Sequence, residues 1–329
     1  MSTPAPLDFE RPIHDLEKKI QELEEFQVAK GVDLSETIEQ LRAEQRRVAR
    51  SIYSNLSPWQ EVQVARHRAR PSTMDFIAMM FRDFLELHGD RHFGDDLAVV
   101  CGFATFNGRR VMVIGHRKGK STRESVACNW GLAHPEGYRK AMHKALLAEK
   151  FRLPIVMFID TAGAYPGVGA EERGIAQSIA ENIADLSVLK VPIICVILGE
   201  GASGGALGIG VGDRVLMLQH AYFSVITPEG CAAILFRSSE RKEEAAKALR
   251  LTSRDMVELG IVDEVVPEPD LGAHRQPQEA ADRLAEALAR HLDELASIPP
   301  HELIERRFAR YRRLGAFLSE DQTPQNQPT

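Results

Sequence analysis

Two short runs constrain this chain more than anything else in its sequence. Residues 154–159 and 191–198 are continuously apolar, each has a proline at its first or second position, and each is followed by a glycine-rich stretch and a helical pattern. A strand that is apolar on both faces needs cover on both faces, and strands alternating with helices supply it, so the chain is an α/β protein with a buried sheet. Val99–Phe106 and Arg109–His116 add two β-rich runs, joined by Asn107-Gly108, the dipeptide that a tight type I′ hairpin prefers. Residues 214–219 and 222–226 read as two more strands. Helices are predicted over 73–87, ending at Gly89, and over 136–151. From there to about Leu318 the remainder reads as helical, followed by a frayed tail.

Ahead of this domain lies a stretch without strand signal. Ile13, Leu16, Ile20 and Leu23 form one stripe, and Leu34, Ile38, Leu41, Val48 and Ile52 form a second. Pro12 suits the start of the first helix, Gly31 breaks between the two, and Asp33 with Glu36 reads as a capping box opening the second. The product is a charged helical hairpin whose narrow apolar face must be buried against the main domain or another chain. The division expected is an N-terminal helical arm over 1–70, a main domain over 71–318 and a flexible tail over 319–329.

Composition excludes several classes. Lys+Arg 41 against Asp+Glu 47 leaves a net charge of −6, a poor balance for nonspecific nucleic-acid binding. The apolar runs fall far short of the roughly 20 residues of a membrane helix, and the first dozen residues do not read as a signal peptide. Cys101, Cys128, Cys195 and Cys231 lie far apart, with no Cys-x-x-Cys pair. That spacing supports neither a disulfide framework nor a zinc knuckle, and a reducing cytoplasm fits it.

Three near-motifs fail on detail. Gly115-His-Arg-Lys-Gly119-Lys120-Ser121 resembles a phosphate loop but has three residues between its glycines where four are needed. It leaves a basic loop of Arg117, Lys118, Lys120 and Arg123 that either meets an anionic substrate group or is solvated surface. Gly199-Glu-Gly201-Ala-Ser-Gly204 matches a dinucleotide fingerprint, yet the next strand ends at Gln219-His220, with no acid for a ribose. Gly201-Ala-Ser203-Gly-Gly205 matches a nucleophile elbow, but Ser203 is expected several residues beyond its strand, as a helix N-cap. A triad could be completed only by free choice among Asp213, Glu229 and histidines such as His220 and His274. His88 and His92 lack the context of a metal site, and Asp160 reads as a loop cap or a catalytic group.

One chemistry accounts for both glycine-rich loops. Thr161-Ala-Gly163-Ala164-Tyr165-Pro166-Gly167 and Gly201-Ala-Ser-Gly204-Gly205-Ala206 each follow a buried strand and precede a helix. Loops of this kind on adjacent strands can aim two backbone amides at one oxygen, which is an oxyanion hole without a catalytic side chain.

These motifs, with His88-Gly-Asp-Arg91-His-Phe-Gly-Asp, Asn129-Trp-Gly, Pro135-Glu-Gly-Tyr-Arg139-Lys140-Ala, Ala170-Glu-Glu-Arg-Gly174 and Ile226-Thr-Pro-Glu-Gly-Cys231-Ala, occur in the order and spacing of one family. From about Leu7 to Leu318 the chain resembles the bacterial acetyl-CoA carboxylase carboxyltransferase subunit alpha. It departs at Ala202, Trp130 and Ile175, where the family has glycine, phenylalanine and commonly glutamine. The resemblance implies a crotonase-like (ClpP/crotonase) spiral of ββα units. It implies an enzyme of fatty acid biosynthesis that moves the carboxyl group from carboxybiotin, on a carrier protein, to acetyl-CoA, forming malonyl-CoA. It also implies an α2β2 heterotetramer with a beta subunit that carries the zinc, alongside the biotin carboxyl carrier protein and a biotin carboxylase that consumes the ATP. Carried onto this sequence, it places the oxyanion amides among Gly163, Ala164, Gly204, Gly205 and Ala206. Substrate contacts fall to Tyr165, Pro166, Gly167, Lys118 and Lys120, with Arg139 and Lys140 either contacting a carboxylate or phosphate or forming salt-bridged surface. No bound cofactor and no metal are expected in this chain.

Overall fold

A computed structural model describes residues 6–315. The chain opens with helices α1 (Arg11–Lys30), α2 (Ser35–Tyr53), α3 (Pro58–Ala65) and α4 (Thr73–Met80). Strands β1 (Arg82–Glu86), β2 (Val99–Phe106) and β3 (Arg109–His116) lead into α5 (Thr122–Ala127) and α6 (Pro135–Lys150). Next come β4 (Ile155–Thr161), α7 (Val168–Glu172), α8 (Ile175–Val188), β5 (Ile193–Ala202) and α9 (Ser203–Leu207). The rest is β6 (Arg214–Leu218), β7 (Tyr222–Ser224), α10 (Pro228–Phe236), α11 (Lys242–Leu249), α12 (Ser253–Glu258), β8 (Glu264–Val266), α13 (Pro277–Ala296) and α14 (Pro300–Arg312).

The strands form one sheet in the order β1-β2-β3-β4-β5-β6-β8, with β7 pairing the far end of β5. The β1–β2–β3 part is antiparallel, and everything from β3 onward pairs in parallel. Every residue of β4 and β5 is buried, as continuous apolar runs in a covered parallel sheet require. Their side chains join one large core with Val99–Val113 positions of the hairpin and with Leu284, Leu288 and Leu292 of α13. The Asn107-Gly108 turn forms with both residues at positive φ, and the hairpin runs in unbroken register from Val99↔His116 to Phe106↔Arg109.

Four expectations need correction. The helix foreseen over 73–87 stops at Met80, and 82–86 leaves it to pair with β2 at the sheet edge. A local run of good helix formers is overridden there by an open ladder of backbone partners. His88 and His92 therefore follow a strand. Strand β8, inside a region read as helical, is too short to show a period of its own. Strand β5 continues through Gly199, Glu200 and Gly201, where a loop was expected. The capping box at Asp33 and Glu36 does not form: Leu34 is the N-cap of α2, and the Asp33 carboxylate accepts from the Ser35 amide. Leu318 and the 319–329 tail lie outside the described residues. Among the described residues, no helix is long and apolar enough to cross a membrane.

The hairpin of α1 and α2 uses its stripe at the root. Ile13, Ala49 and Tyr53 are buried with Val64 of α3, so the chain covers that face itself. Beneath them the buried Glu10 carboxylate accepts from the Tyr53 hydroxyl at 2.6 Å and meets His274 Nε2 at 3.1 Å. At the tip, Phe26 and Val28 stay exposed.

Candidate functional site

The site grows from a fault in strand pairing. Strands β4 and β5 run in step from Ile155↔Ile193 to Ile159↔Ile197, but the next pair is Thr161↔Gly201. Strand β5 thus carries two more residues than β4 across that interval. The surplus is held open by side chains: Asp160 Oδ1 accepts from the Glu200 amide at 3.0 Å, and Arg70 Nε donates to the Leu198 carbonyl at 2.9 Å. A Cβ at position 199 would stand 2.9 Å from Asp160 Oδ1 and 3.0 Å from the Ala65 carbonyl, so only glycine fits.

Past the fault the two chains turn toward each other. The Thr161 hydroxyl lies 2.7 Å from the Gly131 and Gly163 carbonyls and accepts from the Gly163 amide at 3.1 Å, which ties the first loop into a knot. The second loop packs directly on it. A Cβ on Gly205 would fall 2.5 Å from the Ala164 nitrogen, so the loops touch backbone to backbone. Between them opens a cleft of about 490 Å³ lined by Gly163, Ala164, Tyr165, Pro166, Gly204 and Gly205, with Ser203 and Thr227 at its edge. The Tyr165 ring stacks on His134 at 4.1 Å between centroids, and Gly167 is the N-cap of α7.

The amides at this cleft are not equivalent. That of Gly163 is spent on Thr161, whereas that of Ala164 has no acceptor among the described residues. Gly204 and Gly205 lie in the first turn of α9, where amides lack intrahelical acceptors. Ala206 is the first residue to which α-helix geometry gives one, the carbonyl of the N-cap Ala202. Among the described residues the amides of Ala164, Gly204 and Gly205 are thus the ones left without a protein acceptor.

Ser203 departs from expectation in two ways. It follows β5 immediately and has φ +60°, the strained strand-to-helix turn of an elbow, and it is not the N-cap, which is Ala202. A hydrolase still lacks its base. His220 is buried against Glu61 at 2.8 Å, His274 against Glu10 and Asp213 against Arg307, and the half-buried Glu229 is paired with Arg66. No hydrogen bond joins Ser203 to any of them among the described residues.

Behind the loops lies a charged cluster that sequence reasoning only partly foresaw. Lys118 Nζ sits 2.7 Å from Asp160 Oδ1 and 2.5 Å from Glu200 Oε2. Arg66 Nε donates to Glu200 Oε1 at 2.6 Å and its Nη1 to Glu229, and the Tyr222 hydroxyl donates to Glu200 at 2.7 Å. Burial pushes the Glu200 carboxyl up, but Lys118 and Arg66 outweigh it and hold the group at about 2. Burial likewise lowers the Lys118 ammonium, and its two carboxylates reverse that and raise it. Arg66 and Glu200 carried a readable signal: a lone glutamate inside a buried apolar–glycine run demands a cation.

The other basic candidates are placed elsewhere. Exposed Lys120 pairs with Asp75. Arg139 is held by Asp90, the Arg173 carbonyl and Ser178, and Lys140 is buried against Asp95 and the Asp96 carbonyl, so neither reaches the loop cleft. Among the described residues one group, Glu10, His67 and His274, is close enough to converge on a metal ion. Arg275 Nη1 already stands 2.5 Å from His274 Nε2 and 3.4 Å from Glu10, so a guanidinium takes the place of an ion there.

Comparison with known proteins agrees with this architecture. The family described as acetyl co-enzyme A carboxylase carboxyltransferase-like matches residues 6–315. The chain is 54% identical over 314 residues to the acetyl-coenzyme A carboxylase carboxyl transferase subunit alpha of Rhodopirellula baltica, covering 95% of this chain and 98% of the relative. To the subunit of the same name from Thermus thermophilus it is 51% identical over 312 residues, covering 95% and 99%. Among solved structures, transcarboxylase 12S with methylmalonyl-coenzyme A and methylmalonic acid bound superposes with a TM-score of 0.52 at 25% identity, over 66% of this chain and 42% of that one. The beta subunit of Pseudomonas aeruginosa geranyl-CoA carboxylase gives 0.53 at 18% identity, over 70% and 43%. The fold is that of the crotonase-like carboxyltransferases.

Proposed function

The chain belongs to the acetyl-CoA carboxylase carboxyltransferase-like family, and on that premise we propose that it acts as an alpha subunit, moving the carboxyl group of carboxybiotin to acetyl-CoA to form malonyl-CoA. The observation that carries the site assignment is the backbone-to-backbone contact of the two loops around one cleft. When the carboxyl group leaves carboxybiotin as CO2, negative charge develops on the ureido oxygen. Amides of Ala164, Gly204 and Gly205 would meet that oxygen, with Gly163 and Ala206 completing the two turns and Tyr165, Pro166 and Gly167 walling the biotin ring. Preorganised donors aimed at developing charge are the largest single source of catalysis in such sites. The biotin nitrogen then takes a proton from the acetyl methyl group, and the resulting enolate attacks CO2, so no side-chain base is needed.

The enolate is a second anion and needs donors that one cleft cannot also supply. This supports a shared site with a beta subunit in an α2β2 assembly, the zinc lying in beta. A biotin carboxyl carrier protein would present the carboxybiotin that an ATP-consuming biotin carboxylase produces in the cytoplasm. The arm over 1–70 would stand beside a catalytic domain over 71–318.

The test mixes the purified chain with a beta subunit, free biotin and malonyl-CoA. The chain alone should give no carboxyl transfer, and activity should appear on adding beta. In that assembly Gly205→Val, which wedges the loops apart, should lower kcat by roughly 10²–10³. Full turnover by the folded variant, or robust transfer by the lone chain, contradicts the reading.

A further inference from the structure

Lys118 is poorly placed to bind a substrate anion. Its ammonium is already shared by Asp160 and Glu200, and only 22% of its side chain is exposed. Those two carboxylates stand at the pairing fault itself, immediately before the loops that meet at the cleft. We propose that Lys118 is a positioning residue for carboxyl transfer, a bridge that fixes the spacing of β4 and β5 where they launch the two amide-bearing loops. The proposal rests on the reading of those loops as the oxyanion cradle.

The charge count shows why the bridge matters. Glu200 faces Lys118, Arg66 and the Tyr222 hydroxyl; Asp160 faces Lys118 and the Glu200 amide; Arg66 also holds Glu229. Arg70, beside them, is matched by Glu268 at 2.6 Å. His116, whose Nδ1 accepts from the Asp160 amide at 3.4 Å, is kept neutral by burial and by Lys118, near 3. Two cations thus hold three carboxylates. Without Lys118, Arg66 would still hold Glu200 and Glu229, but Asp160 would lose its cation, and Asp160 and Glu200 would repel across the fault. Either the strand ends part, or one carboxyl takes up a proton. Parting the ends displaces the Ala164 amide relative to those of Gly204 and Gly205, and misplacement of about an ångström costs on the order of 100-fold in rate.

The pH sign follows. In the intact protein Glu200 stays ionised throughout the neutral range, being held at about 2. In Lys118→Met a carboxyl of the pair should titrate far higher. The variant should be most impaired at alkaline pH, where both groups are ionised, and should recover as pH falls and one proton removes the repulsion.

The experiment assembles each variant with the beta subunit and follows biotin-dependent turnover of malonyl-CoA from pH 6 to 9. Lys118→Met should lose ~10- to 100-fold in kcat at pH 8, with KM within about threefold of wild type. Its kcat relative to wild type should rise as pH falls to 6. Lys118→Met/Glu200→Gln should recover to within about threefold of wild type at pH 8 and lose that pH trend. A Lys118→Met enzyme with near-wild-type kcat at pH 8 overturns the proposal. So does one whose deficit is constant with pH and is not repaired by Glu200→Gln. If Lys118→Met does not fold, the double variant decides: a rate within about threefold supports the bridge, and a lower one overturns it. Undiminished turnover in Gly205→Val would sink the cradle reading itself, whereas a dead Gly205→Val beside a healthy Lys118→Met sinks the bridge alone.

Discussion

Both ends of β5 are held by a cation and a carboxylate, yet the two clamps serve different ends. At the start of the strand, Arg307 makes a bidentate pair with Asp213 at 2.8 and 2.9 Å, and Asp213 in turn accepts from the Ile193 amide. The same guanidinium donates to the Leu186, Leu189 and Val191 carbonyls, capping the end of α8, and it is wholly enclosed. At the far end, Lys118 reaches its two carboxylates from the wall of an open cleft of about 460 Å³. The closed clamp has every donor aimed at the Asp213 carboxylate or at fixed backbone carbonyls. The open one has a flexible point charge shared between strands. A planar fork suits locking and a lone ammonium suits spacing. Buried charge alone therefore says little about function; what lies past the charge decides.

The largest expected effect tests the closed end. Arg307→Leu leaves Asp213 buried and unpaired and should cost about 3–5 kcal/mol of stability. It should barely change kcat per folded, assembled enzyme. Urea unfolding combined with active-site titration checks both, and a kinetic defect at full stability would erase the contrast between the ends.

Acid should attack the open end. Glu200 and Glu268 are both pushed up by burial but held at about 2 by their cationic neighbours, against an ordinary value of 4.5. A carboxylate depressed in the folded state gives stability that is present above the unfolded value and lost as pH falls through the folded one. The unfolding free energy from urea titration should therefore drop between pH 4.5 and 2, by on the order of 2 kcal/mol for each group. Glu200→Gln should flatten part of that drop. If the acid slope is the same with and without Glu200, the open clamp is not its source.

The smallest effect concerns the exposed hydroxyl at the open end. Ser203→Ala should keep kcat within about threefold, since the cleft works through amides, whereas loss of a true nucleophile costs several orders of magnitude. A collapse in rate would turn the strained φ of Ser203 from a packing feature into a catalytic one.

Much of the frame could be read from residues alone. The apolar runs that became β4 and β5, the Asn107-Gly108 hairpin and the paired helices of the arm each carry a local period or turn residue. The β1 strand could not be read, because its five residues are extended only by virtue of a partner from β2. The glycine loops were legible as candidates, but their contact was not: it depends on a pairing fault between segments some forty residues apart. The fate of Lys118 and Lys140 was likewise hidden, because a lysine in a basic run looks the same whether it meets solvent or a buried carboxylate.

The pairing fault has an arithmetic side. From Ile159 to Thr161 strand β4 advances two residues while β5 advances four, from Ile197 to Gly201. The surplus is even. Because side chains alternate with a period of two, an even surplus slides the register without exchanging the faces of the sheet, and an odd one would turn every later side chain over. Parity thus keeps Ala202 packed with Tyr222 while Gly205 meets the opposing loop. It also sorts the changes of length this stretch can absorb: one residue added or removed between Leu198 and Ala202 inverts the site, whereas a pair merely shifts it along the strand.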